Sequence, residues 1–272
     1  MPSPWSDLDR PPLVPRDLVA ALVRPGEFWS QLQVVEQTGS TNTDLLAAAA
    51  GGAPEGAVLV AEAQSAGQGR LDRRWISPPR SGLTFSVLLR PAVPPALWGW
   101  LPLLAGLAVS RAVRRVAELD VALKWPNDLL LGPERRKGAG ILAQAGGQAV
   151  VIGIGLNVST RREELPREDA TSLALEQAAC TDRDPLLRAV LRQFAGDYAR
   201  WREAGGDPMV SGLHAEYTEV CDTLGREVSV SLPGGDRIEG VATGIDADGR
   251  LVLRAADGSR RTVAAGDVVH VR

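Results

Sequence analysis

Lysine is nearly missing from this chain: of the 30 basic residues among 272, 28 are arginine and only Lys124 and Lys137 are lysine. Asparagine is equally scarce, at Asn42, Asn127 and Asn157. A bias that replaces generic surface lysine with arginine leaves the survivors where a compact ammonium or a carboxamide is needed. Chance survival is the alternative, and against it all five fall in stretches singled out below on other grounds. Cysteine is limited to Cys180 and Cys221, too far apart for a Cys-x-x-Cys motif, which reads as two buried free thiols. Long hydrophobic runs are lacking too. The most apolar stretch, 96–109, contains Gly99, Pro102 and Gly106 and is too short to span a bilayer comfortably, so a buried helix is expected and no membrane contact. The first fifteen residues are proline-rich, carry Asp7, Asp9 and Arg10, and have no apolar core, which argues against a secretory signal and for a cytoplasmic location. A net charge of -3 gives no general attraction to nucleic acid, and the chain before residue 40 has no room for a helix-turn-helix, so no DNA partner is expected. The absence of a Gly-x-x-x-x-Gly-Lys-Ser/Thr run excludes a P-loop ATPase.

What is present is organised around residues 62–75. This stretch ends a strand and continues as a glycine-hinged basic loop closed by an aromatic. Gly67 and Gly69 let the backbone turn and approach a ligand closely, Arg70, Arg73 and Arg74 bring positive charge, and Trp75 offers a flat stacking surface. Such a loop suits an anionic, partly planar ligand, and equally an ordinary arginine-bearing surface turn. Upstream, Gly39-Ser40-Thr41-Asn42-Thr43 precedes an Ala/Leu-rich helix ending at Gly51-Gly52, with Ser40 or Thr41 at the N-cap; hydroxyls and free amides there serve a small polar ligand or simply cap the helix.

Strands are expected at 58–62, 83–89, 121–124 and 148–158, a long buried helix at 97–117, and short helices at 17–23 and from about 207 to 217. Lys124-Trp125-Pro126-Asn127-Asp128 turns at its proline and presents a carboxamide beside a carboxylate, suited to a hydrated divalent cation with phosphate oxygens, or to a plain polar hairpin turn. Lys137-Gly138-Ala139-Gly140 lets a ligand lie against a strand with an ammonium at one end, and Gly153 and Gly155 mark close approach before Asn157. The short connections between 121 and 158 imply antiparallel hairpins. Asp184-Pro185 opens a helix with Leu187, Val190, Leu191, Phe194, Tyr198 and Trp201 on one face. From Gly225, short alternating runs separated by Gly-Gly and Asp-Gly turns, the first at residues 233–235, indicate a small antiparallel barrel. The fold class is therefore α+β: a mixed, largely antiparallel sheet packed with helices over 1–221, then a small barrel domain over 222–272.

Taken together and in order, five motifs resemble those of the bacterial biotin protein ligases. They are Gly39-Ser40-Thr41-Asn42, the 64–75 loop, Lys124-Trp125-Pro126-Asn127-Asp128, Lys137-Gly138-Ala139-Gly140-Ile141-Leu142 and Gly153-Ile154-Gly155-Leu156-Asn157. The resemblance covers roughly residues 35–272 and is to the short, monofunctional kind. It implies a class II synthetase-like catalytic domain with an SH3-like C-terminal barrel. It also implies activation of biotin by MgATP and transfer of biotin to a lysine of a biotin carboxyl carrier domain, with a homodimer possible. Residue by residue it implies biotin contacts from Ser40, Thr41, Asn42, Gln64, Gly67, Gln68, Gly69 and Gly140. Lys137 and Arg70 become the catalytic cations at the carboxylate and α-phosphate. Trp75 then stacks on adenine, Arg73 and Lys124 serve ATP, and Asn127, Asp128 and Asn157 serve ATP and its Mg2+, with Asp128 as the metal contact. A lipoate protein ligase and a non-catalytic biotin or nucleotide sensor are the rival readings. The loop departs from the usual Gly-Arg-Gly-Arg-x-Gly-Arg-x-Trp: Gln68 replaces the first arginine and Asp72 the third glycine. These changes predict a loop that holds the adenylate more loosely.

Overall fold

The computed structural model describes residues 10–71, 73–232, 236–264 and 266–271. Asp72, the 233–235 turn and the acidic residues Asp7 and Asp9 lie outside them. A seven-stranded sheet is built from β1 (Gln31–Val35), β2 (Ala57–Ala61), β3 (Gly82–Leu89), β4 (Val121–Lys124), β5 (Asp128–Leu131), β6 (Arg136–Gly146) and β7 (Ala149–Asn157), in the spatial order β1-β2-β3-β7-β6-β5-β4. Only β1 and β2 pair in parallel; every other pairing in this sheet is antiparallel. The expected mixed, largely antiparallel sheet is thus present. The short edge strand β1 was not anticipated, because Gln-Leu-Gln-Val-Val has no alternating apolar pattern long enough to announce it.

Strand parity decides what each face of the sheet does. On β7, Val150, Ile152, Ile154 and Leu156 enter the main core with Leu83, Phe85, Val87 and Leu89 of β3 and with α1 (Pro15–Leu22), α3 (Trp100–Ala117) and α4 (Arg183–Glu203). Burial of each large side chain there contributes roughly 1.5–3 kcal/mol. The opposite face starts apolar, where Val151, Ala149, Leu59 and Leu88 meet Leu45 and Ala49 of α2 (Thr41–Ala50). Further along the same face the β7 residues are Gly153, Gly155 and Asn157, and the cover gives way to a cavity. The apolar run 96–109 begins in a 3-10 turn at Pro95–Gly99 that leads into α3, most of whose side chains are buried in this packing. The expected start of that helix at 97 therefore moves to Trp100.

After α5 (Leu213–Val220), five antiparallel strands complete the chain: β8 (Glu227–Ser231), β9 (Arg237–Ile245), β10 (Leu251–Arg254), β11 (Arg260–Val263) and β12 (Asp267–His270), in the order β11-β10-β9-β8-β12. The segment 207–212, expected as helix, is turns instead, held by Asp207, which accepts from the backbone N–H groups of Met209 and Val210. The C-terminal sheet shares the main core through Val228, Val230, Leu251 and Leu253. Three indole and imidazole bonds fasten it to α3, to the turn after β4 and to α5: Trp100 Nε1 donates to Ala247 O, Trp125 Nε1 to Gly249 O, and His214 Nε2 lies 2.8 Å from Ile245 O. Both cysteines are free; Cys221 is buried and Cys180 only half-buried.

Candidate active site

The cavity on the glycine face has a floor, a polar end, a cationic end and a loop above it. Cross-strand register builds the floor. Gly155 lies beside Thr84 of β3 and Gly140 of β6, and Gly153 beside Ser86 and Leu142. A Cβ at Gly155 would stand 2.3 Å from the Trp75 indole, and one at Gly153 would stand 2.2 Å from Asn42 Oδ1, so a side chain at either position would displace the group lying over it.

The polar end is the start of α2. Ser40 caps the helix by accepting from Thr43 N–H, and Thr41 donates its own N–H to Gln64 Oε1 at 2.8 Å. Asn42 Nδ2 donates to Gln144 Oε1 at 2.7 Å, while its Oδ1 lies 2.6 Å from the Ser86 hydroxyl. Ser40, the helix cap, and the two residues after it, Thr41 and Asn42, all border the cavity.

The cationic end depends on a β-bulge. Between Leu129 and Leu130 of β5 the register slips by one residue, because Leu129 faces Ala139 whereas Leu130 faces Lys137. Gly138 is the extra residue, packed against Leu131, and the slip turns Lys137 onto the same face as Gly140. Its Nζ lies 2.6 Å from Asp128 Oδ1, a close ion pair without an aligned hydrogen bond. Asp128 itself is set by the 125–127 turn, which contains a cis peptide between Trp125 and Pro126. Asn127, in the same turn, accepts from Arg70 Nη1 at 3.2 Å.

The 64–75 loop is a narrow hairpin, with Gln68 bridged to Arg74, Gly69 N–H donating to Arg73 O and Trp75 N–H to Gly67 O. Arg70 also donates to Gly266 O, and Arg73 pairs with Asp267, so the loop is tied to the C-terminal sheet at β12. Burial lowers the Arg70 pKa from its ordinary value, with Asp128 and Asp267 opposing the shift. The indole of Trp75 lies on the Gly140–Gly155 floor with its Nε1 buried and unbonded.

Ser40, Thr41, Asn42, Gln64, Gln68, Gly69, Arg70, Arg73, Trp75, Asn127, Asp128, Lys137, Gly140 and Asn157 all border this one cavity. Two expected residues do not. Gly67 is buried beneath the loop, where a Cβ would strike Trp75 O at 2.4 Å, so its freedom serves the loop's own closure rather than approach to a ligand. Lys124 stands outside the cavity, and its charge acts on Asp169 and His270. Asn157 lines the wall while donating to Thr171 O at 2.9 Å. Residues not foreseen include Thr84, which strand parity makes accessible to inference. Arg167 and Asp267 were also missed: they arrive from sequence-distant segments, and one arginine among 28 carries no signal of its own.

Two family sequence patterns match the chain, that of the biotin/lipoate A/B protein ligase family over residues 34–157 and that of the biotin protein ligase C terminal domain over residues 223–271. A Mycobacterium tuberculosis ligase named for joining biotin to acetyl-CoA carboxylase is 45% identical over 268 residues, which is 97% of this chain and 97% of that protein. The biotin protein ligase of Aquifex aeolicus, solved with biotin and ATP, superposes with a TM-score of 0.74 at 28% identity, covering 90% of this chain and 100% of that one. The Leishmania major enzyme solved with biotinyl-5-AMP superposes with a TM-score of 0.59 at 26% identity over 87% of this chain and 99% of that one. With these sequence and structural matches over nearly its whole length, the chain belongs to the biotin protein ligase family.

Proposed function

We propose that this protein joins the carboxylate of biotin to AMP at the expense of ATP and then passes biotin to a lysine of a biotin carboxyl carrier domain. The observation that carries this reading is the cationic end: Lys137 and Arg70 converge beside Asp128 and Asn127, in the same cavity as the polar start of α2 and the glycine floor. Two anions must meet there, and fixed cations offset their repulsion and stabilise the charge that develops on the phosphoryl oxygens.

In the first step a biotin carboxylate oxygen attacks the α-phosphorus, the bond from that phosphorus to the bridging oxygen breaks, and pyrophosphate leaves with the electron pair. In the second, a neutral lysine amine attacks the acyl carbon, the acyl–oxygen bond to AMP breaks, and the amine loses a proton. Ser40, Thr41, Asn42 and Gln64 are the side chains we assign to the ureido ring, with Gln68, Gly69 and Gly140 beside it. Lys137 and Arg70 are assigned to the carboxylate and phosphate, Trp75 and Asn157 to the adenosine, and Arg73 to phosphate. Lys124, outside the cavity, is assigned only a long-range electrostatic effect. The donor chemistry suits magnesium carried in on the nucleotide: among the described residues no three His, Cys, Asp or Glu side chains converge as a metal site. One carboxylate and a carboxamide, Asp128 and Asn127, are what a phosphate-bound magnesium requires of a protein. The domain boundary near residue 222 is likewise our assignment, supported by the start of the five-stranded sheet at Glu227.

The test is transfer of biotin to a carrier-domain lysine in the presence of MgATP, followed by mass. Lipoate competing with biotin at equal concentration would favour the rival ligase, and ligand binding without release of pyrophosphate would favour a sensor.

A further inference from the structure

We infer that Gln144 is a positioning residue that latches the 64–75 loop to the biotin end of the cavity, and that the Gln68–Gln144 pair takes the place of the arginine usual at position 68. This inference rests on the functional reading above for its consequence, not for its geometry.

Gln144 lies on β6 beyond the cavity, four residues past Gly140 on the same face, and does not line the site. Its amide is used in both senses. Oε1 accepts from Asn42 Nδ2 at 2.7 Å, and Nε2 donates to Gln68 Oε1 at 3.3 Å. Asn42 Oδ1 in turn accepts from the Ser86 hydroxyl, Ser86 meets the Thr41 hydroxyl at 2.7 Å, and Thr41 donates its backbone N–H to Gln64 Oε1. The result is a ring of six residues, Gln68, Gln144, Asn42, Ser86, Thr41 and Gln64, closed through the loop backbone between 64 and 68. Asn42, Ser86 and Thr41 are buried. Both ends of the first half of the loop are thereby referred to the start of α2, which is the part of the cavity assigned to biotin.

The polarity of the ring explains why residue 68 is neutral here. Asn42 keeps Oε1 of Gln144 engaged as an acceptor, so Nε2 faces the loop and requires an acceptor in return. A carboxamide at 68 supplies one, whereas a guanidinium supplies donors only and leaves two donors opposed. A glutamate at 144 would accept from Asn42 and from an arginine at 68 together. Loss of the arginine thus need not loosen the loop, because its contact is replaced rather than removed.

Two measurements test this. In the ligand-free protein, Gln144→Ala should speed hydrogen exchange at the Gly69 and Trp75 amides, which are bonded across the loop. In the presence of biotin and MgATP, Gln144→Ala and Gln68→Arg should each release the adenylate about fivefold faster, the factor that one neutral hydrogen bond commands. Gln68→Arg with Gln144→Glu should restore native release. Unchanged amide protection in Gln144→Ala, or a double variant no slower in release than Gln68→Arg alone, would overturn the latch. If the native protein forms no adenylate, the functional reading fails, and the exchange measurement still decides the latch.

Discussion

Gly155 on the floor and Gly67 within the loop both lack a side chain, for opposite reasons. At Gly155 the space is taken by the Trp75 indole, so glycine keeps the floor low enough for a ring to lie on it. At Gly67 the space is taken by the carbonyl of Trp75, so glycine keeps the loop narrow enough to close on itself. The floor is fixed by an antiparallel ladder on both sides, β3 and β6 flanking β7. The loop is fixed by its own crossing bonds and a few polar side chains, several of them exposed. A floor held by backbone pairing does not adjust, whereas a loop held by individual side chains can be tuned one contact at a time.

The largest way to break this contrast is at the root where floor becomes loop. Glu62 follows β2 directly, accepts from Leu13 N–H and pairs with Arg183, both side chains being almost fully buried. Arg183→Ala strands a buried carboxylate, and chemical denaturation should show a loss of about 3–5 kcal/mol. Next is the floor itself. Gly155→Val should leave thermal unfolding close to native, since a β-branched residue suits a strand, yet reduce biotin-dependent pyrophosphate exchange about a hundredfold by displacing Trp75 and the loop. Lys137→Ala removes one charged interaction, worth about 1.5–3 kcal/mol, and the same exchange assay should fall roughly ten- to a hundredfold with the fold intact.

Two smaller effects probe the C-terminal contact. Burial, followed by the charges of Lys124 and Arg226 and opposed by Asp222, pushes the His270 pKa down to about 4. The unfolded chain takes up this proton near pH 6.5 and the native one only near 4, so stability is complete above 6.5 and declines as the pH falls through that window. Allowing for the ring's partial exposure, the decline attributable to His270 is about 1–2 kcal/mol, and His270→Gln should flatten the profile of melting temperature against pH. Smallest is Asp267→Asn, which frees Arg73 at an exposed pair and should change stability by about 0–1 kcal/mol, so any effect on adenylate release reads the loop contact and the charge beside Arg70 rather than the fold.

Much of this arrangement was legible in the sequence because it depends on short-range pattern. The apolar strands, the glycines at 153 and 155, the capped start of α2 and the basic loop each declare themselves within a few residues. What the pattern could not show was orientation and distant pairing. Lys137 faces the cavity only because of the bulge at Gly138, and counting by twos along β6 would have turned it into the core. Nothing local in the sequence marks Gln144, whose contacts come from Asn42 and Gln68 on two other elements. Asp267 joins the loop from a segment nearly 200 residues further along the chain. Gly67 is expected from sequence to let the backbone approach a ligand, whereas the group it meets is the loop's own backbone.

The near-absence of lysine has a chemical consequence at such a site. An acyl adenylate is an electrophile that acylates whichever amine reaches it, and the guanidinium groups of Arg70, Arg73 and Arg167 that border the cavity are poor nucleophiles because they remain charged. The one primary amine among the residues lining the cavity is that of Lys137, and it is engaged with Asp128. A wall of arginine therefore lets the enzyme handle a reactive mixed anhydride while offering it almost nothing of itself to modify.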